Sequence, residues 1–216
     1  MNAKRVYIAL RSLTDRVFAV VALLAFSPIM LVIATVVRVH MGPPVLFRQV
    51  RIGTNGRPFE ILKFRTMVVD AERLGGGYMT PEMQLVPPVG RFLRRTSLDE
   101  LPQLANILKG DLALIGPRPA IPSQYERYTA RQARRVSVPQ GITGLAQVLY
   151  RNEAPWSVRI EADLEYIDRM GPLLDLQILL KTVGRVSGGS GIRLDQSAAE
   201  VDDLPRDPDR KESDAV

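Results

Sequence analysis

The sequence contains no cysteine and a single histidine, His40. The first absence excludes a cysteine nucleophile, and together the two leave nucleophilic and acid–base chemistry mainly to aspartate and glutamate. A chain without cysteine also suits a reducing, cytoplasmic environment. Any reaction at this protein is therefore expected to depend on carboxylates.

Acidic residues are unevenly distributed along the chain. Residues 195–216 contain eight acidic and three basic residues, so the net charge of +6 divides into +11 for residues 1–194 and −5 for the C-terminal tail. A basic body indicates an anionic partner, such as nucleic acid, anionic lipid or a phosphorylated substrate. The tail has few large apolar residues, and we predict that it is disordered and outside the fold.

Charge is absent from residues 17–37, a run of 21 mainly apolar residues. About 20 such residues span a bilayer, so the run predicts membrane insertion, with a buried core helix as the alternative. Proline lacks the helical N–H, and Ser27-Pro28 therefore predicts a break in mid-run. Basic residues on both sides favour cytoplasmic ends. A re-entrant helix satisfies both observations, and a kinked helix that crosses once is the alternative.

The remaining sequence predicts an α/β (α+β) domain that is mostly helical. Segments 45–51 and 57–64 predict a β-hairpin, because the intervening Asn55-Gly56 is a strong turn signal. Predicted helices cover 102–109, 122–136 and 156–169, and an amphipathic segment, 173–186, packs on the core or lies in the membrane interface. The predicted domains are a membrane-inserted helix (1–40), a cytoplasmic domain (41–190) and the acidic tail (191–216).

Asp99 and Glu100 are the first candidates for chemistry. A carboxylate can attack phosphorus and can bind a hard cation. The pair also fits a helix start, because Ser97 and Glu100 have the spacing of a capping box. Pro102 conflicts with a helix that begins at Ser97, since proline removes a backbone hydrogen bond. The spacing alone leaves a catalytic and a structural role open.

Several basic residues are candidate anion ligands. Lys63 and Arg65 are two residues apart near a strand end, so they are expected on one face, as an anion site or as an exposed pair. Arg118 lies between two prolines that restrict the backbone, which suits either a preorganised phosphate contact or a rigid turn. Residues 140–147 form a turn-rich loop with polar groups for a ligand.

Acidic and basic residues of the predicted helices are interpreted differently. The arginines of segment 122–136 fit one helix face, which is either solvated or in contact with anionic headgroups. Asp163 and Asp168 on the predicted helix 156–169 are expected to be surface charges.

Five features in a fixed order carry a resemblance. They are the apolar helix broken at Ser27-Pro28, KFRTM at 63–67, TSLDELPQ at 96–103, GPRP at 116–119 and GITGLAQ at 141–147. From about residue 10 to 187 the chain resembles the bacterial sugar transferases, the monotopic phosphoglycosyl transferases.

The resemblance implies an enzyme of the bacterial cytoplasmic membrane with its catalytic domain on the cytoplasmic face. Such an enzyme transfers a sugar-1-phosphate from a UDP-sugar to polyprenyl (undecaprenyl) phosphate and releases UMP, at the start of surface-glycan or exopolysaccharide assembly. Asp99 is the implied nucleophile, which carries a covalent phosphosugar, and Glu100 helps to bind Mg²⁺. The residues expected to bind substrate are Lys63, Arg65, Arg95, Arg118 and Gln147.

Two alternative functions compete with this interpretation. A membrane-anchored basic module that binds anionic lipid or nucleic acid explains the charge and the anchor, but not Asp99-Glu100 beside Arg118. A conventional glycosyltransferase releases UDP rather than UMP. On the favoured interpretation we expect no nucleic-acid partner and make no prediction of oligomeric state. The family often continues after Gln147 with Val-Asn-Gly-Arg, where this chain has residues 148–152 (VLYRN), and this departure bears on sugar preference.

Overall fold

The computed structural model describes residues 3–69, 85–150, 154–187 and 202–204. Its helices are α1 (Ala3–Met41), α2 (Pro88–Arg95), α3 (Gln103–Lys109), α4 (Pro122–Tyr125), α5 (Leu145–Tyr150), α6 (Trp156–Arg169) and α7 (Pro172–Ser187). Its strands are β1 (Leu46–Ile52), β2 (Pro58–Phe64), β3 (Ala113–Ile115) and β4 (Gly141–Thr143). The mostly helical class with small sheets is confirmed.

Helix α1 continues through Pro28 without a gap. Pro28 cannot donate to the carbonyl of Leu24, four residues earlier, and the Ser27 hydroxyl donates to that carbonyl instead at 2.8 Å. This bond satisfies a backbone group that would be costly in a lipid environment. The break predicted at Ser27-Pro28 is therefore not a gap in the helix, and a change of direction there stays a prediction.

The domain contacts α1 on both sides of Pro28. Before it, Ala19 and Ala22 are buried in a cluster with α3 side chains. After it, Ile33 and Val37 are buried in a cluster with the end of β2 and with α2. Residues 24–29 between these contacts are all exposed, which is more than one full helical turn. The domain thus contacts two arms of α1, the part before Pro28 and the part after it, and leaves residues 24–29 uncovered.

The N-terminal arm of α1 is fixed by a buried polar network. Arg11 pairs with Asp175 of α7 at 3.1 Å, and both side chains are 8% exposed. Tyr7 donates to Asp175 Oδ2 at 2.6 Å, and Tyr166 of α6 donates to Asp175 Oδ1 at 2.8 Å. Because both carboxylate oxygens of Asp175 have partners, the hydrogen bonds and the ion pair offset most of the free-energy cost of burying these two charges.

The β-hairpin agrees with the prediction. β1 and β2 pair antiparallel, with Leu46 opposite Phe64 and Ile52 opposite Pro58. The connecting turn places Asn55 at φ 57° and Gly56 at φ 76°, the left-handed conformations that this residue pair favours.

Asn106 of α3 closes the outer edge of β2. Its Oδ1 accepts from the Leu62 N–H at 3.0 Å, and its Nδ2 donates to the Glu60 carbonyl at 2.7 Å. The side-chain amide replaces a neighbouring strand for one residue pair, so α3 is held in a fixed position beside β2.

The single helix predicted over 122–136 is wrong. The structure has the short α4 and a separate 3₁₀ helix, Gln132–Ser137. Thr129 and Gln132 explain the interruption, because each side chain hydrogen bonds to the backbone N–H of the other, at 2.9 and 3.3 Å. This reciprocal capping box starts a new helical turn at Thr129.

The arginines of this region pair with acidic side chains, and contact of the exposed Arg131 and Arg134 with headgroups stays a prediction. The pairs are Arg127–Asp202, Arg131–Glu161, Arg134–Asp168 and Arg135–Asp163. Asp168 is a surface charge, as predicted. Asp163 is not, because its side chain is 1% exposed and pairs with the equally buried Arg135 at 2.5 Å.

Three residues of the acidic tail contact the domain. Arg127 donates to both carboxylate oxygens of Asp202 at 2.8 Å, and Asp203 accepts from the Ser157 N–H at 3.0 Å, near the start of α6. Leu204 is 4% exposed within a core cluster. A wholly disordered tail is therefore wrong at these positions; the other residues of 191–216 lie outside the described residues.

We predict that Asp175→Ala destabilises the protein by about 3–5 kcal/mol, because it leaves the buried Arg11 without its counter-charge. Asp168→Ala is the matched control, since it removes an exposed partner and is expected to cost about 1 kcal/mol or less. Thermal unfolding in detergent compares the two. Equal losses from both variants would contradict a buried anchor.

Candidate active site

Asp99 and Glu100 lie in a 3₁₀ turn, Leu98–Glu100, between α2 and α3. The turn follows Ser97, which has a left-handed backbone (φ 56°) and makes no side-chain capping bond. The capping box expected at Ser97 and Glu100 is therefore wrong, and α3 begins only at Gln103, after Pro102. The conflict that Pro102 posed is resolved by two separate turns, with the carboxylates in the first.

Glu100 is surrounded by cations. Lys63 Nζ, on β2, lies 2.6 Å from Glu100 Oε1, and Arg118 Nη1 lies 4.0 Å from the same oxygen. The Gln103 side chain also hydrogen bonds to Glu100. Burial alone would raise the pKa of Glu100, but Lys63 and Arg118 outweigh it and hold this pKa below its ordinary value. Glu100 is thus ionised and, at 24% side-chain exposure, open to a ligand.

Asp99 has the opposite electrostatic environment. It is 8% exposed, and burial raises its pKa to about 6, against the attraction of Lys63 and Arg94 and with the repulsion of Glu100. At neutral pH such a carboxylate is mostly ionised yet more basic than an ordinary aspartate. Adjacent carboxylates with divergent pKa values are typical of sites where one group reacts and the other binds.

Glycines bring Arg118 to this turn. β3 and β4 pair in parallel, and the loops that follow them touch backbone to backbone. A Cβ on Gly116 would lie 2.3 Å from the Pro139 carbonyl oxygen, and one on Gly144 would lie 2.2 Å from that of Gly116. The Arg118 carbonyl accepts from Arg135 Nη2 at 3.1 Å. The two glycine-containing motifs thus form one rigid support beneath Arg118.

Arg94, rather than Arg95, is the arginine of α2 that faces the site. Arg94 Nε donates to Thr66 Oγ1 at 2.9 Å, and its charge acts on Asp99. Burial lowers the pKa of Arg94, and Asp99 opposes that effect. Arg95 is exposed. The prediction named Arg95, and the helical phase of α2 instead turns Arg94 towards the site.

Two other predicted ligands lie in structural positions. Arg65 is 5% exposed and donates to the carbonyls of Met41, Gly42 and Pro43, so it caps the C-terminus of α1 instead of facing the carboxylates with Lys63. The pairing of Lys63 and Arg65 on one face fails because β2 ends at Phe64.

Gln147 also makes a backbone contact. Its Nε2 donates to the Ile142 carbonyl at 2.6 Å, within the turn between β4 and α5. Its Oε1 is buried without a hydrogen-bond partner. Arg151 and Asn152, which belong to the segment that differs from the family pattern after Gln147, lie outside the described residues.

The site offers two carboxylates for a cation. No group of three or more His, Asp or Glu side chains converges within the part of the chain that the structure describes. Mg²⁺ does not require such a group, because it commonly binds one or two carboxylates together with water and substrate phosphates. An ionised, partly exposed Glu100 beside Asp99 fits that donor set.

One cation near the site was not expected from the sequence. Arg159 of α6 is 6% exposed, and its pKa is lowered to about 10 by burial and by the charges of Arg118 and Arg135. The fold brings it to this site across more than 40 residues of chain, and no local motif marks it.

Comparisons with known proteins agree on a family. A model described as bacterial sugar transferase matches residues 6–189. The chain is 45% identical to the uncharacterized sugar transferase EpsL of Bacillus subtilis, over 85% of this chain and 90% of that relative.

Two further relatives have names that state a reaction. The chain is 40% identical to the UDP-glucose:undecaprenyl-phosphate glucose-1-phosphate transferase of Xanthomonas campestris, over 84% of this chain and 40% of the relative. It is 36% identical to the UDP-N-acetylgalactosamine-undecaprenyl-phosphate N-acetylgalactosaminephosphotransferase of Aeromonas hydrophila, over 87% and 46%. The chain spans less than half the length of these two relatives.

We predict that Asp99→Asn stabilises the protein at pH 8 by up to about 3 kcal/mol, because burial raises the pKa of Asp99 to about 6 in the folded protein. The folded-state pKa of about 6 exceeds the unfolded value, so ionised Asp99 disfavours folding above pH 6, and this penalty disappears as the pH falls towards 4. Urea unfolding at both pH values measures the gain relative to wild type.

The control is Asp168→Asn, which replaces an exposed aspartate and is expected to change stability by about 0.5 kcal/mol or less at either pH. A gain for Asp99→Asn that is absent at pH 8, or equally large at pH 4, would contradict the raised pKa of Asp99.

Proposed function

Because this chain belongs to the bacterial sugar transferase family, we propose that it transfers a sugar-1-phosphate from a UDP-sugar to polyprenyl phosphate. The products are polyprenyl-diphosphate-sugar and UMP, and the step initiates surface-glycan assembly. Relatives named for this reaction support the donor and acceptor classes. The observation that carries the proposal is that the pKa values of Asp99 and Glu100 are shifted in opposite directions. The pKa of the buried Asp99 is raised, whereas that of Glu100, which is paired with cations, is lowered.

Asp99 is the proposed nucleophile. A carboxylate oxygen of Asp99 attacks the phosphorus that bears the sugar, the bond from that phosphorus to the bridging oxygen breaks, and UMP leaves with this oxygen. A phosphate oxygen of polyprenyl phosphate then attacks the same phosphorus and releases the Asp99 carboxylate. The raised pKa supports this role because it makes the carboxylate a stronger nucleophile.

The cations around Glu100 support phosphate binding. Lys63 and Arg118 converge on Glu100, and Arg94 acts on Asp99, so a phosphate beside the carboxylates would meet several positive charges. Glu100, with Asp99 beside it, would hold Mg²⁺, which when bound neutralises charge on the phosphate oxygens. Arg95 stays a proposed ligand at the exposed edge, whereas Arg65 and Gln147 are proposed to support neighbouring segments.

We predict that the purified protein, with Mg²⁺ and polyprenyl phosphate, releases UMP from at least one UDP-sugar in a panel. Asp99→Asn is expected to lose this activity by more than a thousandfold, since it removes the nucleophile, and chelation by EDTA is expected to abolish it reversibly.

The matched control is Asp168→Asn, an exposed aspartate whose substitution is expected to leave the rate unchanged. Release of UDP instead of UMP would indicate a conventional glycosyltransferase. No nucleotide release from any donor would favour a non-catalytic module that binds anionic lipid.

The membrane is the proposed location of the reaction, since the acceptor is a lipid. α1 is long and apolar enough to cross a membrane. α7 presents a second apolar surface, because Leu173, Leu176, Leu180 and Val183 are 52–70% exposed and follow helical spacing along one face. A helix of this kind suits the membrane interface, and we propose that α7 lies there with the domain on the cytoplasmic face.

The path of α1 is proposed to be re-entrant. Both arms of α1 pack on the same domain while residues 24–29 are exposed on all sides, which supports a turn of direction at Ser27-Pro28 with the tip in the lipid. Basic residues at both ends support a cytoplasmic position for each.

We predict that a small tag at either terminus is accessible to an impermeant label only after the cytoplasmic membrane is permeabilised. The reason is that the two arms of a re-entrant helix enter and leave on one side. Labelling of the N-terminal tag in intact spheroplasts, with the C-terminal tag protected, would instead indicate a single crossing.

A further inference from the structure

Arg159 is a buried cation with an unused hydrogen-bond donor. Its Nε donates to the Ala154 carbonyl at 2.8 Å, and its guanidinium lies 4.8 Å from the centre of the Trp156 ring. These two contacts fix the plane of the guanidinium. Its Nη2 is buried and has no partner. Leaving a charged donor unsatisfied in the interior is costly, so the position calls for a ligand.

The neighbouring carboxylate does not supply that ligand. Asp163 directs one oxygen, Oδ2, to Arg135, at 2.9 Å from Nε and 2.5 Å from Nη2. Its other oxygen, Oδ1, is buried without a partner. Asp163 thus directs its hydrogen bonds to Arg135. Its charge also attracts Arg159, but Arg159 Nη2 is left without an acceptor.

Arg118 connects Arg159 to the carboxylates. Its guanidinium is 4.0 Å from Glu100, its carbonyl is held by Arg135, and its charge acts on Arg159. Arg118 is therefore near both the Glu100 carboxylate and Arg159, and an anion beside Arg118 would be close to both. The repulsion between Arg118 and Arg159 would be relieved by a shared anion.

The charges around this position are unbalanced in favour of an anion. The cations of the site and its support are Lys63, Arg94, Arg118, Arg135 and Arg159, and the carboxylates are Asp99, Glu100 and Asp163. Five positive against three negative groups leave two positive charges, and the Mg²⁺ proposed at Glu100 would add two more. A nucleoside diphosphate ester carries two negative charges, one on each phosphate.

We propose that Arg159, with Arg118, binds the phosphate adjoining the nucleoside of the donor, the phosphate that departs in UMP. The sugar-bearing phosphate then lies at Asp99, and the diphosphate spans the two groups of cations. Trp156 is a positioning residue, because its ring lies 4.8 Å from the Arg159 guanidinium and holds it in place. This proposal rests on the proposed transferase function and adds the residue that recognises the leaving group.

Calorimetric titration of the full-length protein in detergent tests the proposal with UMP as the probe. Arg159→Ala is expected to weaken UMP binding about ten- to a hundredfold, the loss of one charge-assisted hydrogen bond. In steady-state kinetics the same variant should raise KM for the UDP-sugar and leave KM for polyprenyl phosphate unchanged. Arg169→Ala, at the exposed end of the same helix, is the matched control and should change neither.

Arg159→Lys guards against a folding defect, since it retains the charge, and it is expected to bind UMP with intermediate affinity at an unchanged melting temperature. Wild-type affinity for UMP in both Arg159 variants would overturn the proposal and assign the free donor to a buried water shared with Asp163. Absence of UMP binding by the wild-type protein would overturn the proposed donor class and this site with it. UMP binding that is independent of Arg159 would overturn this site alone.

Discussion

The attachment of α1 to the domain is the constraint on which the rest of the structure depends. An apolar helix with charged ends must find partners for those charges beside a low-dielectric phase. Arg11 pairs with Asp175 on α7, and the Asp15 carboxylate accepts from the Leu114 N–H of β3 at 3.1 Å. The far end is capped by Arg65, just after β2. β3 leads to Arg118 and β2 carries Lys63, so the elements that fix α1 also build the site.

Two adjacent carboxyl groups in the site, those of Asp99 and Glu100, have pKa values that are shifted in opposite directions. Glu100 remains ionised because Lys63 and Arg118 compensate for burial, whereas Asp99 receives less compensation and its pKa rises to about 6. The 3₁₀ turn after the left-handed Ser97 directs the two side chains into these different surroundings. A regular capped helix would have placed both carboxylates in its solvated first turn.

The sequence predicted correctly those turns and helix ends that depend on residues close together in the chain. Asn55-Gly56 located the hairpin, and the helix predicted over 102–109 ends at Lys109, as α3 does, before the left-handed Gly110 (φ 90°). The family motifs predicted a site with Asp99, Glu100 and Arg118, and the structure places Arg118 Nη1 4.0 Å from Glu100. The helix over 122–136 failed because the Thr129–Gln132 capping box outweighs the spacing of the arginines. Arg159 and the docking of Leu204 depend on contacts between distant segments, which periodicity cannot reveal.

The central claim is that Asp99 forms a bond to the sugar-bearing phosphate, and intact-protein mass spectrometry tests it most directly. The protein is incubated with Mg²⁺ and its UDP-sugar donor, without polyprenyl phosphate. Wild-type protein is predicted to gain the mass of one phosphosugar and to lose it again when the lipid acceptor is added. Asp99→Asn is predicted to show no gain. A phosphosugar adduct on Asp99→Asn would contradict the account. So would the absence of an adduct on wild-type protein that is catalytically active.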